Sequence, residues 1–277
     1  MSLSSFTRVC LNMLMEKRTD RPHPDSKAHS ASANVYIMDA AFPVPQLGRT
    51  RRIWLYLPAG YFSGSRHYPV LYMHDGQNLF DAQTSYAGEW GVDEILDAMQ
   101  APCIVAGIDN GGQQRMQEYN VHDHPQFGKG EGEAYLKFIV KTLKPFIDTH
   151  YRTLPAQRNT FVAGSSMGGL ISYYAGLYYP KVFGAVGILS PSFWILPEPE
   201  AELKQLTRRR KYSAQKYFFS VGSQESPVMI KSLEEVAALM KQLTKADIRK
   251  RIAPDGQHNE ASWGQVFPEF FRWIMDK

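Results

Sequence analysis

Two short stretches, YPVLYM (68–73) and CIVAGI (103–108), run almost without a polar side chain. A strand that shows one face to water alternates apolar and polar residues, whereas a continuous apolar run needs cover on both faces. Helices supply that cover in a parallel sheet, so these runs confine the chain to strands alternating with helices. The flanking sequence fits. NVYIM (34–38) and RRIWLYL (51–57) come first, the second alternating Ile53, Leu55 and Leu57 with Arg52, Trp54 and Tyr56 as a half-buried strand should. NTFVAG (159–164), FGAVGIL (183–189) and YFFSVG (217–222) read as further strands, and IRKRI (248–252) as a weak one. Between them Tyr135, Leu136, Ile139, Leu143, Phe146 and Ile147 share one helical face, with Pro145 expected to kink or shorten the helix. Other helical patterns run from about Ser166 to Tyr179, over Leu233, Val236, Ala237, Met240 and Leu243, and over Phe267, Phe270, Phe271 and Ile274. The fold class expected is α/β, a mainly parallel sheet with helices on both faces.

With 277 residues, 44% of them hydrophobic, the chain can fill one sizeable core, and no repeat or linker divides it. Residues 1–32 read as an irregular extension ending in RTDRPHPDSKAHSAS, and 33–277 as one α/β domain. A net charge of +4 with 21% charged residues does not fit a nucleic-acid binder. Its one dense basic run, Arg208-Arg209-Arg210-Lys211, follows Pro197 and Pro199 and reads as a solvated loop. Cys10 and Cys103 are too few for a disulfide framework or a zinc site. No stretch of about twenty apolar residues predicts a membrane span. The N-terminal FTRVCLNMLMEKR lacks the ordered parts of a signal peptide, so a cytoplasmic location is expected.

Gly164-Ser165-Ser166-Met167-Gly168 matches G-x-S-x-G. An apolar strand ends at Gly164 and an amphipathic helix begins just beyond it, the strand–turn–helix that exposes a strained nucleophilic serine. Ser166 is the serine with glycine two residues away on both sides. The Met167 backbone N–H opens the helix and is offered to an oxyanion.

Serine needs a base, usually a histidine oriented by a carboxylate. All other histidines precede Ser166, so His258, in the polar turn APDGQHNEAS, is the expected base. For the acid, Glu225 on the loop after YFFSVG is preferred by the order Ser, acid, His, with Asp255 as rival and Glu260 as a weaker one. By analogy with other nucleophile-elbow proteins, the second oxyanion amide is Gln77, in the loop His74-Asp75-Gly76-Gln77-Asn78 after YPVLYM. His74 and Asp75 are expected to brace that loop rather than form a second catalytic pair. Arg115, Glu118 and Tyr119 follow CIVAGID on a glycine-rich loop where pockets form, and Arg115 and Tyr119 are candidate substrate contacts, as is Trp194. His122-Asp123-His124 lacks further ligands in sequence, so no metal is expected, and no cofactor.

Eight ordered blocks resemble the putative-esterase branch of the α/β hydrolases, which includes esterase D, enterochelin esterases, feruloyl esterases and mycolyltransferases. They are YPVLYMHDGQNLFD (68–81), EWGVDEILD (89–97), VAGIDNGGQQRMQEY (105–119), YRTL (151–154), VAGSSMGGL (162–170), SPSFW (190–194), VGSQE (221–225) and GQH (256–258). The resemblance covers about residues 33–277. It implies an α/β-hydrolase fold with Ser166, Glu225 and His258 as triad, and Met167 and Gln77 as oxyanion amides. Some enterochelin-esterase relatives work with a Ser–His pair alone, which stands as the alternative to a triad. The expected activity is hydrolysis of a polar, small-molecule carboxylic ester, such as an acylated sugar or siderophore lactone. An acyltransferase using the same residues and a catalytically idle binding protein are the competing readings.

Overall fold

The computed structural model describes residues 29–209, 211–212 and 215–276. Among these residues eight strands form one sheet in the order β1-β2-β4-β3-β5-β6-β7-β8. They are β1 (Val35–Val44), β2 (Arg49–Tyr56), β3 (Val70–His74), β4 (Ile104–Ile108), β5 (Thr160–Ser165), β6 (Ala185–Leu189), β7 (Lys216–Gly222) and β8 (Asp247–Ala253). β2 pairs antiparallel with both β1 and β4; every pair from β4 to β8 is parallel.

Every residue of β3, β4 and β6 is buried, which accounts for their unbroken apolar sequences. The side chains of these strands and of β5 divide between two cores. Tyr72, Ile104, Val162 and Ile188 face helices α2 (Gly132–Phe138, continuing through Ile139–Leu143 to Lys144–His150), α3 (Met167–Tyr178) and α5 (Pro227–Leu243). Leu71, Val105, Ala163 and Leu189 face α1 (Val92–Ala98) and α6 (Glu260–Met275). The predicted apolar face of α6 is buried in full, at Phe267, Phe270, Phe271 and Ile274.

Three local expectations change. β2 is buried on both faces, not one: Ile53 and Leu55 enter one core, Trp54 and Tyr56 the other. The aromatics tolerate this because their polar tips find carboxylates, Trp54 Nε1 donating to Asp109 at 2.7 Å and Tyr56 Oη to Asp97 at 2.7 Å. Pro145 does not shorten α2, which runs on to His150; a π turn over Ile139–Leu143 precedes it, since proline removes one helical donor and crowds the preceding turn. The basic run is no loop at its start. Arg208 and Arg209 close α4 (Pro199–Arg209), where Pro199 takes the first helical position and Glu200 and Glu202 the first turn, an arrangement favoured by the helix dipole. Arg210 lies outside the described residues.

The start of the described chain is tied to the domain. Ser30 Oγ donates to Glu89, the Ser32 N–H to Asp93 and Asn34 Nδ2 to Asp97. The expected extension up to residue 28 lies outside the described residues. Among those described, no helix is long and apolar enough to cross a membrane.

Candidate active site

β5 ends in the middle of the sheet and delivers Ser166 to its carboxyl edge. Ser166 has φ 56° and ψ −122°, a conformation costly for any side chain. Three backbone bonds hold it: its N–H donates to Leu189 O at 3.0 Å, and its carbonyl accepts from Leu170 and Ser192 at 3.1 Å each. The turn is so tight that a Cβ on Gly164 would stand 2.7 Å from the Gly168 backbone, so strand and helix can approach only as glycines.

His258 arrives from the loop after β8. Its Nε2 lies 3.1 Å from Ser166 Oγ and its Nδ1 lies 2.9 Å from Glu225 Oε2. The Glu225 side chain is 1% exposed against 37% for His258. Its other oxygen accepts from Ser190 Oγ at 2.5 Å and from the Gly222 N–H at 2.8 Å. Burial opposes its charge, but the bonds from His258, Ser190 and Gly222 hold its carboxyl below the usual range. Of the rival carboxylates, Asp255 is exposed with φ 56° and shapes the bend, its N–H donating to Ser223 Oγ at 2.9 Å. Glu260 accepts from Asn78 Nδ2 at 3.1 Å.

The loops carrying Glu225 and His258 are locked together. The Ser223 N–H donates to Ala253 O at 2.9 Å and the Gln224 N–H to Gly256 O at 3.0 Å. A Cβ on Gly222 would fall 2.1 Å from Gly256 O. Gly222→Ala is therefore expected to cost about 1–3 kcal/mol of stability, the usual cost of overpacking a close contact. Denaturant titration measures it, and an unchanged midpoint would mean that the two loops part freely.

Gln77 lies in the helical turn Gly76–Asn78 after β3, its carbonyl accepting from Thr84 Oγ1 at 2.8 Å. Gly76 packs directly on β4, where a Cβ would meet Gly107 at 2.7 Å. Met167 is the first residue of α3, so its N–H has no helical carbonyl four residues back. Gln77, Ser166 and His258 line one cleft of about 980 Å³, together with Asn78, Thr84, Ser85, Asp109, Asn110, Arg115, Glu260 and Trp263. Burial pushes Asp109 up to about 6 and also raises Glu260.

The candidate substrate contacts are placed unequally. Arg115 lines the cleft, with Nε and Nη2 bonded to the Asp75 carboxylate at 2.7 and 2.8 Å. Tyr119 is wholly buried behind it, its hydroxyl accepting from the Asp75 N–H. Glu118 is buried too, paired with Arg49 and Arg51. Trp194 is about half exposed on the turn Phe193–Ile195 and is not among the residues lining the cleft. His74 is buried, its Nδ1 2.9 Å from Tyr135 Oη, and burial drives its pKa down to about 3. His122 meets Tyr174 Oη at 2.9 Å and Glu202 at 3.2 Å.

Two contributors are missing from the sequence reading. Ser190, with φ 43°, bonds Glu225, and Trp263 Nε1 donates to Ser190 Oγ at 2.8 Å while its ring meets His258 edge-on at 5.1 Å. The only sequence signal for Ser190 is its place in SPSFW; Trp263 looks like one more apolar residue of α6.

The family model described as "Putative esterase" matches residues 45–274. YbbA of Bacillus subtilis (strain 168) is 28% identical over 82% of this chain and 93% of its own length. The iron(III) enterobactin esterase of Escherichia coli (strain K12) is 25% identical over 79% of this chain, which spans only 52% of that protein. The crystal structure of an IroE-like serine hydrolase from Shewanella oneidensis superposes with a TM-score of 0.68 at 21% identity, covering 83% of this chain and 77% of the other. The shared architecture is the α/β-hydrolase fold.

Proposed function

The chain belongs to the putative esterase family and so hydrolyses carboxylic esters, and we propose that it does so as a serine hydrolase, through an acyl-enzyme on Ser166. The observation that carries this reading is the continuous chain from Glu225 to His258 to Ser166, at 2.9 and 3.1 Å.

Ser166 Oγ attacks the ester carbonyl while His258 Nε2 takes its proton. Glu225 faces the resulting imidazolium, holds Nδ1 protonated and stays ionised. Negative charge collects on the former carbonyl oxygen, where the Gln77 and Met167 amides receive it; losing one such donor typically costs about 10²–10³ in kcat. The intermediate collapses, the C–O bond to the alcohol breaks, and His258 returns the proton to the departing oxygen. Water then repeats the sequence on the acyl-enzyme, releasing the acid and restoring Ser166. The catalytic unit in this reading is residues 33–277.

The substrate is a polar ester, such as an acylated sugar or a siderophore-type lactone. Support comes from the amides, hydroxyls and carboxylates that Gln77, Asn78, Thr84, Ser85, Asp109 and Asn110 bring to the cleft beside its apolar walls. A fluorophosphonate probe is expected to label the wild-type protein at Ser166 and to leave Ser166→Ala unlabelled. Labelling of the variant at full extent would sink the assignment. Hydrolysis of acetyl-sugar, feruloyl and catecholate-lactone esters, with and without added acceptor alcohols, then ranks substrates and separates hydrolysis from acyl transfer.

A further inference from the structure

The loop that carries Gln77 also carries a buried charge with no part in the chemistry above. Asp75 stands in the left-handed backbone region, φ 56°, and its carboxylate is 8% exposed. Oδ1 accepts from Arg115 Nε and Asn110 Nδ2, each at 2.7 Å, and Oδ2 from Arg115 Nη2 at 2.8 Å. The Asp75 N–H donates to Tyr119 Oη at 3.2 Å, and the Arg115 guanidinium lies over the Tyr119 ring, 5.2 Å from its centre.

The position of this carboxylate matters. A Cβ on Gly168 would stand 3.1 Å from Asp75 Oδ2, so the charge rests against the first turn of α3. It therefore lies between the two elements that supply the Gln77 and Met167 amides. A bare carboxylate there would compete with an oxyanion for the same positive field and raise the energy of the charge that develops in the reaction. A doubly hydrogen-bonded guanidinium cancels it and also fixes its direction. The same bonds over-determine a backbone conformation that would otherwise relax.

We infer that Arg115 and Asp75 are a positioning pair for the oxyanion site. Arg115 acts through Asp75, holding the loop that aims the Gln77 N–H and neutralising the carboxylate beside it. This inference rests on the serine-hydrolase reading of the cleft. It also gives Arg115 a role that does not require contact with the substrate.

The test compares Arg115→Ala, Arg115→Lys, Asp75→Asn and the double variant Asp75→Asn/Arg115→Ala with the wild type. The readouts are turnover of neutral p-nitrophenyl acetate and anionic p-nitrophenyl hemisuccinate, affinity for a phenylboronic acid, and thermal melting. Arg115→Ala is expected to lower kcat on the neutral ester by about 10², the scale of a lost oxyanion donor, with KM nearly unchanged. Boronate affinity, which reports the tetrahedral state, should fall in parallel. Removing the stranded charge in the double variant should restore kcat by about tenfold over Arg115→Ala alone. Arg115→Lys, which keeps the charge without the fork, should fall between wild type and Arg115→Ala. A rise in KM confined to the anionic ester would make Arg115 a substrate ligand and overturn the inference. So would a double variant no better than Arg115→Ala. If Arg115→Ala does not fold, Arg115→Lys and Asp75→Asn decide through boronate affinity, which must fall in the first for the inference to stand. Failure of the underlying reading would appear separately, as a wild-type Ser166 inert to fluorophosphonate.

Discussion

Ser166→Ala and His258→Ala are each expected to lower kcat by about 10⁴ to 10⁶, and the double variant should be barely worse than either alone. The near-equality follows from the geometry. With Oγ gone, the imidazole 3.1 Å away has no nucleophile to deprotonate; with the imidazole gone, Oγ keeps its proton. What survives is binding and the oxyanion amides. Neither change should unfold the protein, since Ser166 is held by backbone bonds to Leu189, Leu170 and Ser192 and His258 is more than one-third exposed. Steady-state kinetics with melting curves check this. Additive losses would mean that the two residues act in different steps, and near-normal turnover in Ser166→Ala would end the assignment.

Glu225→Gln should lower kcat by up to about 10⁴ while keeping the fold, because an amide favours the wrong imidazole tautomer and leaves the imidazolium unpaired. The glutamine also enters a site built for an acceptor: Ser190 and the Gly222 N–H both point at Oε1. Asp255→Asn should cost little, since that side chain is exposed on the bend. Small losses at both positions would favour a Ser–His dyad. A second readout is the acid limb of stability. The Glu225 carboxyl is held below its ordinary value, so its contribution is present above that value and is lost as pH falls through the lowered one. Glu225→Gln should remove that limb, seen as a shallower fall in denaturation midpoint on acidification.

What could be read from the sequence was whatever local pattern encodes. Unbroken apolar runs announced strands covered on both faces, and the glycines around Ser166 announced a turn that tolerates no Cβ. The placing of His258 beside Ser166 is legible because no other histidine follows that serine. What is not legible depends mostly on partners distant in the chain. Trp54 and Tyr56 looked solvent-facing because their carboxylate partners lie 55 and 41 residues away. The pairing of Arg115 with Asp75, 40 residues upstream, is likewise not encoded locally. Ser190 and Trp263 meet Glu225 and His258 only through folding. The α4 helix was missed for a local reason: Pro199 reads as a breaker, although the first helical position accepts proline.

The proposed nucleophile and the proposed base stand on unequal ground. β5 is flanked by β3 and β6 in the centre of the sheet, whereas β8 is the terminal strand, paired with β7 alone and exposed along most of its length. The contacts outside that pairing include surface ion pairs such as Lys250 with Glu234 and Arg251 with Glu269, a kind of contact that contributes little. Edge strands open by sub-global fluctuations that leave the centre intact. In such an excursion Ser166 would keep its strained turn while His258 drifted out of reach. The free energy protecting the proposed constellation is then expected to be smaller than the free energy protecting the fold.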